Sequence, residues 1–119
     1  MRRLIAAVII AVSIALAAFF SSRWVAATEK EVKKRCEEII LAPEKEKIDD
    51  FESFWEKRSY PLFLFVNRDS LESIGKAAAK MSSAGENNDK EEILESAEEI
   101  KFIINHIAEQ EKLSLQSFF

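Results

Sequence analysis

The fold class is decided by residues 93–107, which read ILESAEEIKFIINHI. Their apolar positions alternate spacings of four and three residues, so they share one face of an α-helix. They are Ile93, Ala97, Ile100, Ile104 and Ile107. Such a face packs against neighbouring antiparallel helices, and the stretch therefore predicts one helix of a bundle.

Three stretches upstream carry apolar residues at helical spacing. The first follows residue 28 and ends at Pro43, the second follows Pro43, and the third begins near residue 69. The predicted core positions are Val32, Cys36, Ile39 and Ile40 in the first, Ile48, Phe51, Trp55, Leu62, Phe65 and Val66 in the second, with Phe54 beside them, and Leu71, Ile74, Ala78 and Met81 in the third. Each predicts an amphipathic helix.

The helix ends are predicted from local signals. Pro61 interrupts the second stretch, but the apolar residues on its two sides keep the same helical phase. We therefore expect two collinear or kinked helical pieces, the second capped by Ser59. The other ends are marked by small polar residues and glycine. They are Asp69 with Glu72 as a capping-box variant, Gly85 as a stop, and Asn88 or Asp89 as the cap of the last helix.

The N-terminal segment differs from the rest of the chain. No charged residue occurs from Leu4 to Ser22. A run of this length fits a spanning helix better than a cleaved signal peptide, and Arg23 with Trp24 is typical of a membrane interface. The small residues 25–27 would nevertheless make an acceptable cleavage site, so removal near Ala27 stays open.

The fold expected is all-α, with an N-terminal transmembrane or signal-anchor helix followed by an antiparallel three- to four-helix bundle. We assign residues 1–27 to the anchor and 28–119 to the bundle. If the anchor continues into the bundle without a break, residues 4–41 form a rod of roughly 57 Å. Arg2 and Arg3 compete under the positive-inside tendency with four basic residues beyond the run, Lys30, Lys33, Lys34 and Arg35, which are interleaved with glutamates. We expect a cytoplasmic N-terminus and an extracytoplasmic bundle, because a three-residue head has little else to hold it and the large domain follows.

Charge and composition restrict the function. The chain of 119 residues has only two glycines and two prolines and a formal net charge of −4. Residues 28–119 carry 14 basic and 21 acidic side chains, a net charge of −7. Nucleic acid is therefore not an expected partner. Lipid contacted through residues 4–22 and a membrane or envelope protein are the expected partners.

We expect neither a catalytic centre nor a cofactor or metal. His106, the single histidine, falls away from the apolar face of its helix, where a solvated surface residue is the simplest interpretation. Cys36, the single cysteine, lies on an apolar stripe and is expected in the core. An intermolecular disulfide in a homodimer is the alternative for Cys36.

Phe102 is the least ordinary residue of the last helix. It lies roughly opposite the apolar face and so exposes a large aromatic ring. The chain also ends in an apolar tail from Leu113 to Phe119. We expect this tail to fold back over the bundle, with a shared docking surface as the alternative. The candidate partner contacts are Trp55, Phe102, Phe118 and Phe119.

The chain resembles the bacterial family known as domain of unknown function 4363, which comprises small proteins with an N-terminal hydrophobic segment. The resemblance covers nearly the whole chain and rests on four motifs. They are Trp55-Glu56-Lys57, Asp69 to Leu71 with Ile74, Lys101-Phe102-Ile103 with His106-Ile107, and Leu113-Ser114-Leu115 to Phe119. Asn67 replaces the histidine expected of relatives and Ser117 an asparagine, which argues against a shared catalytic group at position 67.

The resemblance implies a fold and a location and brings no activity. The leading hypothesis is a non-enzymatic, membrane-anchored helical interaction module at the outer face of a bacterial cytoplasmic membrane. The alternative is an exported soluble helical protein that binds a small apolar ligand after cleavage near Ala27.

Overall fold

Helices account for almost all of the computed structural model, which describes residues 1–63 and 66–118 and only the backbone from Ser114 onward. Within those ranges the chain forms four α-helices and no strand. They are α1 (Arg2–Leu41), α2 (Lys45–Leu62), α3 (Arg68–Glu86) and α4 (Lys90–Phe118). The expected all-α fold, with a long apolar first helix and a helical bundle, is confirmed.

Helix α1 is uninterrupted over its 40 residues. At 1.5 Å per residue it is about 60 Å long and extends far beyond the other three helices. The molecule accordingly measures 66 Å along its longest axis and about 22 Å across. The predicted rod through residues 4–41 is confirmed. The division into residues 1–27 and 28–119 stays a prediction, although burial in the bundle already begins at Ser21.

Polar contacts show that α1 and α4 run antiparallel. Ser21 Oγ donates a hydrogen bond to Glu111 Oε1 at 3.0 Å, and Lys33 Nζ donates to Asn105 Oδ1 at 2.9 Å. Residues later in α1 therefore contact residues earlier in α4. Helix α2 packs between α1 and α3, and α3 packs between α2 and α4. We call the end of the bundle where Ser21, Phe63 and Glu111 lie the base.

The core contains the faces predicted from periodicity. Sixteen of the predicted positions are buried, with relative exposures of 0 to 5%. They are Val32, Cys36, Ile39, Ile48, Phe51, Trp55, Leu62, Leu71, Ile74, Ala78, Met81, Ile93, Ala97, Ile100, Ile104 and Ile107. Ile40, Phe54 and Val66 are partly buried against them, and Phe65 lies outside the described residues.

Helix α2 does not break and restart. It is one helix that ends at Leu62, with Pro61 in its last turn. Ser59 does not cap a second piece, because its hydroxyl donates to the Glu56 carbonyl of the preceding turn at 3.3 Å. The expectation of two pieces is wrong. A proline close to the end of a helix can coincide with its termination, since its ring and missing N–H disturb only the final turns.

The ends of α3 also differ from the prediction. The cap is Asn67, whose side chain accepts from the Asp69 N–H at 2.8 Å, so Asp69 lies in the first turn. Gly85 lies inside the helix and is buried. A Cβ at Gly85 would lie 3.0 Å from Ile48 Cδ1, so the missing side chain leaves room for α2.

The turn before α4 follows the prediction more closely. Asp89 caps α4 by accepting from the Glu92 N–H at 3.2 Å. The preceding Asn88 has a φ of 54°, a left-handed conformation that asparagine tolerates better than most residues.

The C-terminal tail does not fold back. Helix α4 continues to Phe118, and seven residues at 1.5 Å each carry it about 10 Å past Glu111, toward the apolar part of α1. The preference for folding back is therefore wrong. The reason is that no helix-breaking residue occurs between Glu111 and Phe118, so the intrahelical hydrogen bonds continue.

We predict that Ile100→Ala lowers the free energy of unfolding by about 2–5 kcal/mol, because Ile100 is 0% exposed and its replacement leaves a cavity. Phe102→Ala, two positions along the same helix, should change it by less than about 0.5 kcal/mol, since Phe102 is 75% exposed. Urea unfolding of the full chain in detergent micelles, followed by circular dichroism, measures both. Equal losses would contradict the assignment of the buried face.

Candidate functional site at the base of the bundle

Most of the apolar surface of the lower half of α1, residues 2–20 below the base, is exposed. Ten large apolar side chains between residues 4 and 20 are exposed. They are Leu4, Ile5, Val8, Ile9, Ile10, Val12, Ile14, Leu16, Phe19 and Phe20. Among the described residues, α1 is the one helix long and apolar enough to cross a membrane. The base of the bundle adjoins the upper end of this apolar surface.

A column of alternating cations and aromatic rings joins α1 to α2. The Arg35 guanidinium carbon lies 4.4 Å from the Phe54 ring centroid. The Arg58 guanidinium carbon lies 5.2 Å from Phe54 and 4.7 Å from Trp24. Each of these distances is within the range of a cation–π interaction. The column thus ends at Trp24, directly above the apolar run.

The column borders a groove between α1 and α2. Its lower part has a volume of about 290 Å³ and is lined by Phe20, Ser21, Trp24 and Pro61. Its upper part, of about 370 Å³, shares Trp24 and Pro61 and adds Phe54, Lys57 and Arg58. The lower wall is apolar apart from the serine, and both basic residues are in the upper part. The groove therefore combines an apolar section with a cationic section.

Further exposed apolar side chains lie at the base of the bundle. Tyr60 is 81% exposed and Phe63 46%, both at the end of α2, and Leu113 of α4 is 65% exposed. On α1, Arg23 lies over the Phe19 ring at 5.5 Å. The base thus carries exposed aromatic, aliphatic and basic side chains next to the charge-free run of α1. This composition is typical of the region where a protein meets lipid headgroups.

Buried polar groups near the base are paired. Ser21, only 5% exposed, donates to Glu111, and Thr28 Oγ1 donates to the Trp24 carbonyl at 2.8 Å. Within the described residues, no buried side-chain oxygen or nitrogen lacks a hydrogen-bond partner. These two hydroxyls therefore belong to the packing of α1, and neither is a free reactive group.

The predicted partner contacts occupy different environments. Trp55 is 5% exposed and packs in the core, so it offers no surface to a partner, which corrects that prediction. Phe102 is 75% exposed, on the side of α4 away from the core, as predicted. The side chain of Phe118 and the whole of Phe119 lie outside the described residues.

Cys36 and His106 take the positions expected of them. Cys36 is 0% exposed, and burial raises the pKa of its thiol to about 12, although Lys101 opposes this shift. A buried neutral thiol does not favour the intermolecular disulfide considered above. His106 is exposed. Among the described residues, no group of three or more histidine, cysteine, aspartate or glutamate side chains is placed to hold a metal ion.

Sequence reasoning did not assign Lys57, Arg58, Tyr60 or Phe63 to a functional site, although Lys57 belongs to one of the family motifs. It identified Arg23 and Trp24 as an interfacial pair, but it did not connect them with the end of α2. The predicted topology already indicated this proximity. When two consecutive helices pack antiparallel, the end of the second lies beside the start of the first, so the end of α2 lies beside the part of α1 that follows the apolar run. The α2 sequence RSYPLF from Arg58 to Phe63 combines a basic residue with aromatic and apolar ones.

Comparison with known families gives one match. The family described as domain of unknown function (DUF4363) matches residues 21–117. Comparisons with curated proteins and with solved structures give no match. The matched region starts at Ser21, where burial in the bundle begins.

We predict that Cys36 of the folded chain reacts with a maleimide far more slowly at pH 8 than in denaturant, because the buried thiol stays protonated below a pKa of about 12. Mass spectrometry of the adduct measures the rate. A matched control is Ser53→Cys in a Cys36→Ala background, since Ser53 is exposed and should react rapidly in the folded chain. Equal rates for the two cysteines would refute the burial of Cys36.

Proposed function

Because the chain belongs to the DUF4363 family, whose description assigns no function, we propose a function from its geometry: a membrane-anchored helical interaction module. The lower half of α1 spans the cytoplasmic membrane of a bacterium. The bundle stands on its outer face, where it binds a membrane or envelope protein. The observation that carries this proposal is the continuity of α1 between its exposed apolar half and its buried half.

The continuity of α1 supports a retained anchor. Only 6% of the most apolar 18-residue stretch of α1 is buried, so the protein itself does not shield this stretch from water and a lipid bilayer would. Ser21 and Val25 are already buried in the bundle. Cleavage near Ala27, as the soluble alternative requires, would remove both from the core and expose apolar surface. The anchored form is therefore the better proposal.

Side chains at the base support the depth and the orientation of the anchor. Trp24 and Arg23 follow directly after the charge-free run, where an indole and a snorkelling guanidinium are favourable. Arg2 and Arg3 precede the run and favour a cytoplasmic N-terminus. The bundle then lies outside the cytoplasm, held close to other membrane proteins at a high effective concentration.

The contact with a protein partner is assigned to Phe102. It exposes an aromatic ring on a helix face that is otherwise polar, with Glu98, Glu99 and His106 exposed around it. Aromatic residues of this kind are frequent anchors of protein–protein interfaces. The only thiol of the chain is buried at Cys36 and its only histidine is exposed without an assigned partner, so a binding role is favoured over catalysis.

We predict that the mature chain isolated from membranes retains residues 1–27 and resists extraction by alkaline carbonate. The reason is that removing the apolar run would also remove buried residues of α1. Mass spectrometry of the intact protein measures the N-terminus. A mature form that starts at Thr28 and is recovered without detergent would favour the soluble alternative.

We predict that Phe102→Glu reduces partner recovery at least about tenfold, since the loss of an aromatic hot-spot residue at an interface costs about 2 kcal/mol or more. The measurement is quantitative mass spectrometry after crosslinking in cells and purification in detergent. The same comparison with Phe118 and Phe119 removed tests the tail.

The matched control for Phe102 is Leu41→Glu. Leu41 is 86% exposed at the opposite end of the bundle from the base, so its replacement adds the same charge at an equally accessible apolar residue. Partner recovery should be unchanged in this control. Unchanged recovery with Phe102→Glu would defeat the assignment of the surface.

A further inference from the structure

We propose that the groove between α1 and α2 at the base binds an anionic phospholipid. The phosphate of the lipid contacts Arg58 and Lys57, and an acyl chain lies against Phe20 and Trp24. This inference rests on the proposed function, because it requires the lower half of α1 to lie in a bilayer. It adds a specific lipid site to an anchor that otherwise needs only hydrocarbon around it.

The geometry of Arg58 leaves its hydrogen-bond donors available. The rings of Trp24 and Phe54 lie 4.7 and 5.2 Å from its guanidinium carbon. The N–H donors of a guanidinium lie in its plane and point away from its edge, so stacking on rings and binding of a phosphate are compatible. The two rings hold the group in position, which lowers the entropy lost on binding.

Arg58 differs in this respect from the other arginine of the column. Arg35 also lies over Phe54, but its Nε donates to Glu31 Oε1 at 3.0 Å and so already has an anionic partner. No carboxylate of the described residues lies within ion-pair distance of Arg58. Of the two arginines in the column, Arg58 is therefore the one whose charge an external anion would neutralise.

The groove has the two-part chemistry of a phospholipid. Its lower part, of about 290 Å³, is lined mainly by apolar groups and faces the level of the charge-free run. Its upper part, of about 370 Å³, carries Lys57 and Arg58. The cationic section thus lies farther from the bilayer centre than the apolar section. A phospholipid in the outer leaflet has its phosphate and acyl chains in the same order.

The charge at the groove favours an anionic over a zwitterionic lipid. Residues 28–119 carry a net charge of −7, but the two charged side chains that line the groove, Lys57 and Arg58, are both positive. The ammonium group of a zwitterionic headgroup would meet these cations beside the phosphate and be repelled. A headgroup with only the phosphate charge avoids that repulsion and complements the local charge.

The test uses the full chain reconstituted in bilayers of mixed phosphatidylcholine and phosphatidylglycerol. Bromine on the acyl chains of one lipid or the other, at equal mole fraction, quenches the fluorescence of Trp24 only at close range. A Trp24→Phe variant supplies the background of the buried Trp55. We expect brominated phosphatidylglycerol to be enriched beside Trp24 at least about fivefold, because one basic residue near an anionic lipid gives about that ratio and both Arg58 and Lys57 contribute.

Variants separate the groove from general attraction to the membrane. Arg58→Gln should abolish most of the preference for phosphatidylglycerol, and Lys57→Gln should reduce it. Lys57 is exposed, so its replacement tests the site without disturbing the core. The matched control is Arg35→Gln, which removes a stacked arginine from the same column above the groove and should leave the preference unchanged.

The outcomes distinguish this inference from the proposed function. Quenching that is equal for the two brominated lipids, or a preference unaffected by Arg58→Gln and Lys57→Gln, overturns the lipid site and leaves the anchor intact. Absence of quenching by either lipid overturns the anchor itself. Competition by soluble glycerol phosphate at concentrations similar to those of the lipid would show a free-phosphate site and overturn the lipid assignment.

Discussion

The structure depends on one constraint: a single unbroken helix, α1, contains both the exposed apolar run and a face that packs in the bundle. Its lower half exposes large apolar side chains on all sides, whereas from Ser21 upward only one face is buried, against the bundle. A continuous helix is stiff because every turn is hydrogen-bonded to the next. The position of the apolar run in a membrane would therefore fix the height and direction of the bundle above it.

Periodicity revealed the interior because burial of a helix follows its repeat of 3.6 residues, whatever the neighbouring helices are. The helix ends were less accessible to this reasoning. Gly85 carries the usual signal of a stop, yet it lies in the last turn of α3, where its missing side chain leaves room for Ile48 of α2. Asn67 and Asp69 are both good caps, and the hydrogen bond from the Asp69 N–H to the Asn67 side chain identifies Asn67 as the cap.

The side chains that meet at the base could not be predicted from the sequence alone, because their contacts depend on the register between α1 and α2. Arg23 and Trp24 are adjacent, and their interfacial character was evident. Arg58 lies 34 positions after Trp24, and only the antiparallel packing of α1 and α2 places the two in contact. The same register explains why the two tryptophans differ, since Trp55 turns into the core while Trp24 remains 40% exposed.

Exposed apolar residues of the chain divide into those that lipid can cover and those that it cannot. Tyr60, Phe63 and Leu113 lie at the base, beside the apolar run, and a bilayer around α1 would cover them without any protein partner. Phe102 lies nine residues before Glu111 on α4, about 13 Å farther from the base. A bilayer that ended near Trp24 would reach neither Phe102 nor Leu41, so lipid does not account for these two exposed side chains. Under the proposed function a protein surface covers Phe102, because an aromatic ring is a better interface anchor than a leucine.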